Sequence, residues 1–132
     1  MKKSILLLFT LTCISFQTIH SQEDHSEIIS SGKWYFEKMV TGEEVLDVPD
    51  DSIKSFWMHF SKNGICETSA MGKISKGTWE YLKNENSIRI AIEKDVSVHK
   101  IDIINKEKMV LSAEQEGLRI VLYLTKLEPT QI

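Results

Sequence analysis

Short stretches in which apolar and polar residues alternate recur along this chain about every ten residues. The clearest is Ser87 to Glu93, where three isoleucines occupy every second position. Alternation with a period of two is typical of a strand with one buried and one exposed face. Strands at roughly ten-residue intervals are typical of an all-β sandwich or barrel. The pattern therefore predicts an all-β domain.

The alternation predicts eight strands after a polar start. Their predicted bounds are 33–40, 54–60, 65–70, 77–82, 87–93, 96–104, 108–113 and 118–127. In the first strand we expect Trp34 and Phe36 on one face and Met39 on the other, and in the sixth we expect Ile101 and Ile103 to share a face. Turns are short, and Asn63-Gly64 is expected to close a tight hairpin with positive φ at both positions. This order predicts an eight-stranded antiparallel up-and-down barrel, since closure removes exposed sheet edges.

The longest predicted irregular stretch is Thr41 to Ser52. Its acidic residues and Pro49 indicate an exposed loop. Carboxylates bind calcium, but the ordered spacing of a dedicated calcium loop is absent, so we interpret the stretch as a solvated lid. His25, His59 and Cys66 show no zinc spacing either, and we predict no metal site and no cofactor.

Residues 1–21 have the layout of a secretory signal. Lys2 and Lys3 precede an apolar run that is too short for a stable membrane span, and a more polar end follows. We predict cleavage after Ser21. A lipoprotein signal with acylation at Cys13 is the alternative, but the apolar run continues past that cysteine.

Cleavage would leave a mildly acidic chain with a polar segment at 22–31 and a barrel domain at 32–128. The signal holds two of the 16 basic residues and none of the 19 acidic ones, which leaves 14 against 19, a net charge of −5. Such a charge offers no surface for nucleic acid. The sequence also shows no second apolar segment that would predict a membrane span. Cys66 would then be the one cysteine left after cleavage, since Cys13 lies in the signal, so no internal disulfide is expected. The predicted location is the periplasm or the extracellular space.

The order Gly32-Lys33-Trp34, a long first loop, short later turns and Lys126 near the end of the last strand resembles the lipocalin or calycin pattern. Small bacterial lipocalin-like domains are the most similar, and the motifs Asn63-Gly64 and Gly77 to Tyr81 are part of this resemblance. The resemblance implies that Trp34 packs across the closed base of the barrel. It also implies that a basic side chain, Lys126 or else Arg119, covers the indole through a cation–π contact. Unlike in larger lipocalins, we expect no helix after the last strand.

Large apolar side chains on the interior faces form the candidate ligand site. They are Phe36, Phe56, Met58, Phe60, Trp79, Tyr81, Ile90 and Met109. An eight-stranded barrel is just wide enough to be filled by its own side chains or to hold one small ligand. The resemblance favours a small hydrophobic ligand beneath the 41–52 segment, and a cavity of about 300 Å³ or more would support this reading.

The alternative is a filled barrel that binds or inhibits an envelope or extracellular protein through its outer wall. Tyr35, Trp57 and Tyr123, exposed together, would support this reading. Catalysis by Cys66 with a histidine would need a third orienting group, and the alternation places Cys66 in the interior. We therefore predict a binding protein and no catalytic residues.

Overall fold

The computed structural model describes residues 24–127. Nine strands and one short α-helix are the main elements of this part of the chain. The helix is α1 (Ser26–Ile29), and the strands are β1 (Lys33–Thr41), β2 (Glu44–Asp47), β3 (Phe56–Phe60), β4 (Ile65–Ala70), β5 (Lys73–Leu82), β6 (Ser87–Ile92), β7 (Asp95–Ile104), β8 (Lys108–Gln115) and β9 (Leu118–Thr125). Short 3₁₀ helices span Asp50–Ser55 and Lys83–Glu85. The all-β prediction is confirmed, and the predicted signal sequence lies outside the described residues.

Strand β1 closes the sheet into a barrel. One edge of β1 pairs with β9 from Tyr35 to Thr41, and the other edge pairs with β3 from Lys33 to Tyr35. The remaining strands are antiparallel neighbours in chain order. The predicted eight-stranded up-and-down barrel is therefore confirmed, and it consists of β1 and β3 to β9.

The predicted irregular stretch from Thr41 to Ser52 contains a ninth strand. Strand β2 folds back through a turn at Gly42 and pairs with Lys38–Thr41 of β1. The prediction was wrong here because the apolar centre of β2, Val45 and Leu46, is only two residues long and is flanked by acidic residues. Strand β2 pairs with β1 alone among the described strands, so the wall is not continuous between β2 and β3.

Two β-bulges shift the inward-facing phase of their strands. The pairing of β1 slips between Phe36 and Lys38, so Met39 joins Phe36 on the interior side, against the predicted phase. The pairing of β7 slips between Ile101 and Ile103. As a result Ile101 is 3% exposed and Ile103 is 53% exposed, although strict alternation placed them together. A bulge inserts one extra residue, which period-two patterning does not anticipate.

The turn at Asn63-Gly64 differs from the expected tight hairpin. Four residues, 61–64, join β3 to β4, and Gly64 has φ +91° while Asn63 is not in the positive region. The Asn63 side chain instead accepts hydrogen bonds from Ser61 Oγ at 2.6 Å and from the Ile65 amide at 3.2 Å. Asn63 therefore stabilises the turn through its side chain and not through a left-handed backbone.

The hairpin turns divide the barrel into two ends. The turns after β3, β5 and β7 lie at the end where β1 begins, which we call the closed end; the turns after β1, β4, β6 and β8 lie at the other, which we call the open end. Most large buried side chains lie in the half nearer the closed end. The core cluster is Ile29, Trp34, Met58, Phe60, Cys66, Ile88, Ile90, Ile101, Met109, Leu111, Leu122 and Leu124.

Some interior positions toward the open end are small or polar. Cross-strand register aligns Thr68 with both Met58 and Ser75, and Ser97 with Ile90. Because aligned residues share a face of the sheet, these small polar residues point toward the interior. Strand β5 begins at Lys73 and not at the predicted Gly77. The sequence pattern did not indicate its first residues because they lack apolar alternation.

Candidate ligand-binding site

The closed end is sealed by Trp34. Its side chain is fully buried, and its indole Nε1 donates a hydrogen bond to the carbonyl oxygen of Ile29 at 3.0 Å. Lys126 Nζ lies 4.5 Å from the centre of the indole ring and donates to Ser31 Oγ at 2.7 Å. The cation–π contact that the resemblance implied is therefore present with Lys126. Arg119, the alternative cation, lies near the start of β9 at the open end.

Helix α1 completes this seal. Ile29 is fully buried and belongs to the core cluster, and Ile28 packs against that cluster. The backbone amide of His25 also donates to the Tyr81 hydroxyl at 3.3 Å. A ligand would therefore have to reach the interior from the open end or through the wall.

The structure divides the eight predicted site residues into two groups. Met58, Phe60, Ile90 and Met109 belong to the buried core cluster, and Trp79 and Tyr81 pack against it. Phe60 and Trp79 form an edge-to-face ring contact with a centroid distance of 5.3 Å. These six side chains fill space in the barrel core.

The other two, Phe36 and Phe56, line a cavity. This cavity, which we call the side cavity, has a volume of about 350 Å³ and an almost entirely apolar wall. Its lining residues are Phe36, Lys38, Met39, Leu46, Asp47, Val48, Pro49 and Phe56. The side cavity lies where the wall is interrupted between β2 and β3, beneath part of the 41–52 segment.

Sequence reasoning missed most of the wall of the side cavity. Strict alternation predicts Met39 on the outer face because it does not anticipate the bulge in β1. Leu46, Val48 and Pro49 all lie within the stretch 41–52 that the sequence predicts to be irregular. The one signal available was the pair Val45-Leu46 within an acidic segment, which could have been read as a short strand.

Two polar side chains also point into the barrel. His99 aligns with Ile88, and Ser97 with Ile90, both of which are core residues. His99 Nε2 lies 2.9 Å from Ser97 Oγ, while Nδ1 is buried without a hydrogen-bond partner among the described residues. Burial lowers the pKa of His99, so the imidazole is neutral at pH 7.

Cys66 is in a poor environment for nucleophilic chemistry. The residue is fully buried, and burial raises the pKa of its thiol to about 12, whereas a reactive cysteine needs thiolate character. Cys66 aligns with Phe60 on the interior face, and His59 aligns with Glu67 on the outer face. The side chains of Cys66 and His59 thus point to opposite faces of the sheet. Within residues 24–127, no three His, Cys, Asp or Glu side chains are grouped to hold a metal ion.

The outer-wall aromatics are not an exposed cluster. Trp57 is 9% exposed and lies beneath Lys33, whose Nζ is 4.2 Å from the ring centre. Tyr123 is half-buried beneath Lys38 Nζ at 4.7 Å. Tyr35 is also half-buried. The structural condition that would have supported the protein-binding alternative is therefore not met.

Comparison with known proteins bears on the fold. No family model and no curated protein matches the chain. Among solved structures, the chain is similar to a DUF4847 family protein from Bacteroides vulgatus, with a TM-score of 0.60 and 14% identity. The match covers 81% of this chain and 100% of the other. At this identity the likeness shows a shared fold and nothing about the ligand.

In the part of the chain that the structure describes, no helix is long and apolar enough to cross a bilayer.

Proposed function

We propose that this protein is an exported lipocalin-like binding protein that holds a small apolar molecule in the side cavity. The proposal assigns no catalytic step to the chain. Its main support is the side cavity itself, because a volume of about 350 Å³ with an apolar wall falls within the range of small-molecule sites.

The distribution of side chains supports the same proposal. Large residues fill the closed half, while Thr68, Ser75 and Ser97 occupy interior positions nearer the open end. Eight strands leave room for a ligand only where interior side chains are small. These three residues do not line the side cavity, so it is the filled closed half that directs a ligand toward the break in the wall.

Export is part of the proposal and rests on residues 1–21. N-terminal sequencing of the protein recovered outside the cytoplasm should begin at Gln22. Retention of Met1 on protein confined to the cytoplasm would contradict export without affecting the binding site.

Two neighbouring residues of β2 provide a matched test of binding. Leu46 lines the side cavity, whereas Val45 does not, and their exposed fractions are similar at 62% and 57%. Leu46→Asp places a charge against the bound apolar molecule, where it loses solvation. Val45→Asp makes the same chemical change outside the cavity.

The probe is N-phenyl-1-naphthylamine, a neutral dye whose fluorescence rises in apolar surroundings. We expect saturable one-to-one binding by the parent, at least about tenfold weaker binding by Leu46→Asp, and less than about a twofold change for Val45→Asp. Circular dichroism serves to verify that both variants keep the fold. Equal weakening in both folded variants, or no saturable binding by the parent, would overturn the proposal.

A further inference from the structure

A second, chemically different cavity lies on the outer surface near the closed end. It has a volume of about 580 Å³ and opens between the start of β1, the 3₁₀ helix before β3 and the end of β9. We call it the lysine cleft. Its lining residues are Ser31, Gly32, Lys33, Tyr35, Lys54, Lys126 and Leu127.

The lining carries three ammonium groups and no carboxylate. The four ion pairs among the described residues involve other basic side chains, namely Lys76, Arg89, Lys108 and Arg119. Lys33, Lys54 and Lys126 therefore have no acidic partner within residues 24–127. Asp50 and Asp51 belong to the same 3₁₀ helix as Lys54 but do not line the cleft. This local excess of positive charge contrasts with the net negative charge of the chain.

Two of the three ammonium groups are held in place by aromatic rings. Lys33 Nζ lies over Trp57 at 4.2 Å, and Lys126 Nζ lies over Trp34 at 4.5 Å. A cation–π contact restricts the position of an ammonium group without neutralising its charge. Both charges thus remain available to an anion at little further cost in side-chain ordering.

Lys126 is also partly desolvated. Burial lowers its pKa, and its hydrogen bond to Ser31 Oγ is to a neutral group. A bound anion would supply the counter-charge that the described residues lack. Such an anion would favour the charged form of Lys126.

We propose that the lysine cleft binds a small molecule that carries a phosphate or sulfate group. The three lysine ammonium groups provide the donors that an oxyanion accepts from, while the Ser31 hydroxyl already donates to the carbonyl oxygen of Ile28 at 2.6 Å. The cleft is larger than one inorganic anion, and Tyr35 offers a ring surface to an attached organic part. This site is separate from the side cavity and does not depend on the apolar-ligand proposal.

The test compares two double variants of equal net charge. Lys33→Gln with Lys54→Gln removes two charges from the lysine cleft, and Lys73→Gln with Lys94→Gln removes two exposed charges at the open end. Binding is followed by amide chemical shifts of Gly32 and Tyr35 at low ionic strength. Inorganic phosphate, inorganic sulfate and glucose 1-phosphate are the probes.

We expect saturable shifts in the parent, about tenfold weaker binding in the cleft variant, and less than about a twofold change in the open-end variant. Binding of glucose 1-phosphate at least as tight as that of inorganic phosphate would support a phosphorylated small molecule. The absence of saturation, or equal weakening in the two double variants, would overturn the proposal. Tighter binding of the protein to phosphatidylglycerol vesicles than to glucose 1-phosphate would also overturn the proposal, because the cleft would then bind a lipid surface.

Discussion

Single glycines before the start of β1 and in β5 fix the shape of the barrel. Gly32 has φ +142°, a conformation that side chains rarely adopt, and it directs the chain from α1 into β1. A side chain at Gly32 would also approach Lys126 Nζ to 3.2 Å. The Gly32-Lys33-Trp34 motif thus has a physical explanation, because the glycine makes the bend that places the indole of Trp34 across the closed end.

Gly77 is required for a different reason, the close approach of β5 to β6. A Cβ at this position would clash with the carbonyl oxygen of Ala91 and would lie 2.9 Å from the Cα of Ile92. Gly77→Ala should therefore destabilise the protein by about 1–3 kcal/mol or more, as overpacking does. Thr78→Ala, at the exposed neighbouring position, is the control and should change stability by less than about 0.5 kcal/mol. Urea denaturation measures both, and an unchanged midpoint for Gly77→Ala would show that the two strands separate without cost.

Alternation in the sequence correctly places most interior side chains of the barrel. Seven of the eight predicted interior residues pack in or against the core cluster, and the eighth, Phe56, lines the side cavity. Alternation could place them because a strand with no bulge has a strict period of two. Alternation could not place Met39 or Ile103, because each follows a bulge that reverses the phase.

Strand β2 is the element on which the side cavity depends. It pairs with β1 along one edge, while β8 pairs with neighbours on both edges. All four residues of β2 are exposed, whereas four consecutive residues of β8 are buried. The element that covers the cavity is therefore among the least supported in the sheet, which suits a covering that opens to admit a ligand.

Hydrogen exchange should reveal this difference. We expect the amides of Val45 and Leu46 to exchange faster than those of Val110 and Leu111, because elements with few buried contacts open locally at low free energy. Saturation with N-phenyl-1-naphthylamine should slow exchange at β2 and leave β8 unchanged. Protection of β2 equal to that of β8 in the free protein would contradict the expectation of a locally opening strand.

At the scale of the whole molecule, the sequence predicted the closed barrel but not the break in its wall. Turn spacing and alternation suffice for eight antiparallel strands in chain order. The break arises because β1 is long enough to pair with β3 at its start and with β2 at its end. That division follows from three-dimensional register and leaves no period in the sequence.

Global stability should depend on pH through His99. Burial lowers the pKa of His99 in the folded state, so the unfolded chain, with a pKa near 6.5, binds the proton more readily. The stability contribution should be fully present above about pH 6.5 and should be lost as the pH falls toward the lowered folded pKa. His99→Gln should remove this part of the pH dependence. Urea midpoints at several pH values between about 4.5 and 7.5 compare the variant with the parent, and parallel curves would contradict the assignment.

We propose that a small apolar molecule occupies the side cavity. Intermolecular nuclear Overhauser effects between N-phenyl-1-naphthylamine and the protein's methyl groups test this claim most directly. We expect contacts from the dye to the methyls of Met39, Leu46 and Val48, which line the cavity, and none to Val45. Contacts confined to exposed methyls elsewhere, such as those of Val96 and Ile103, would contradict it.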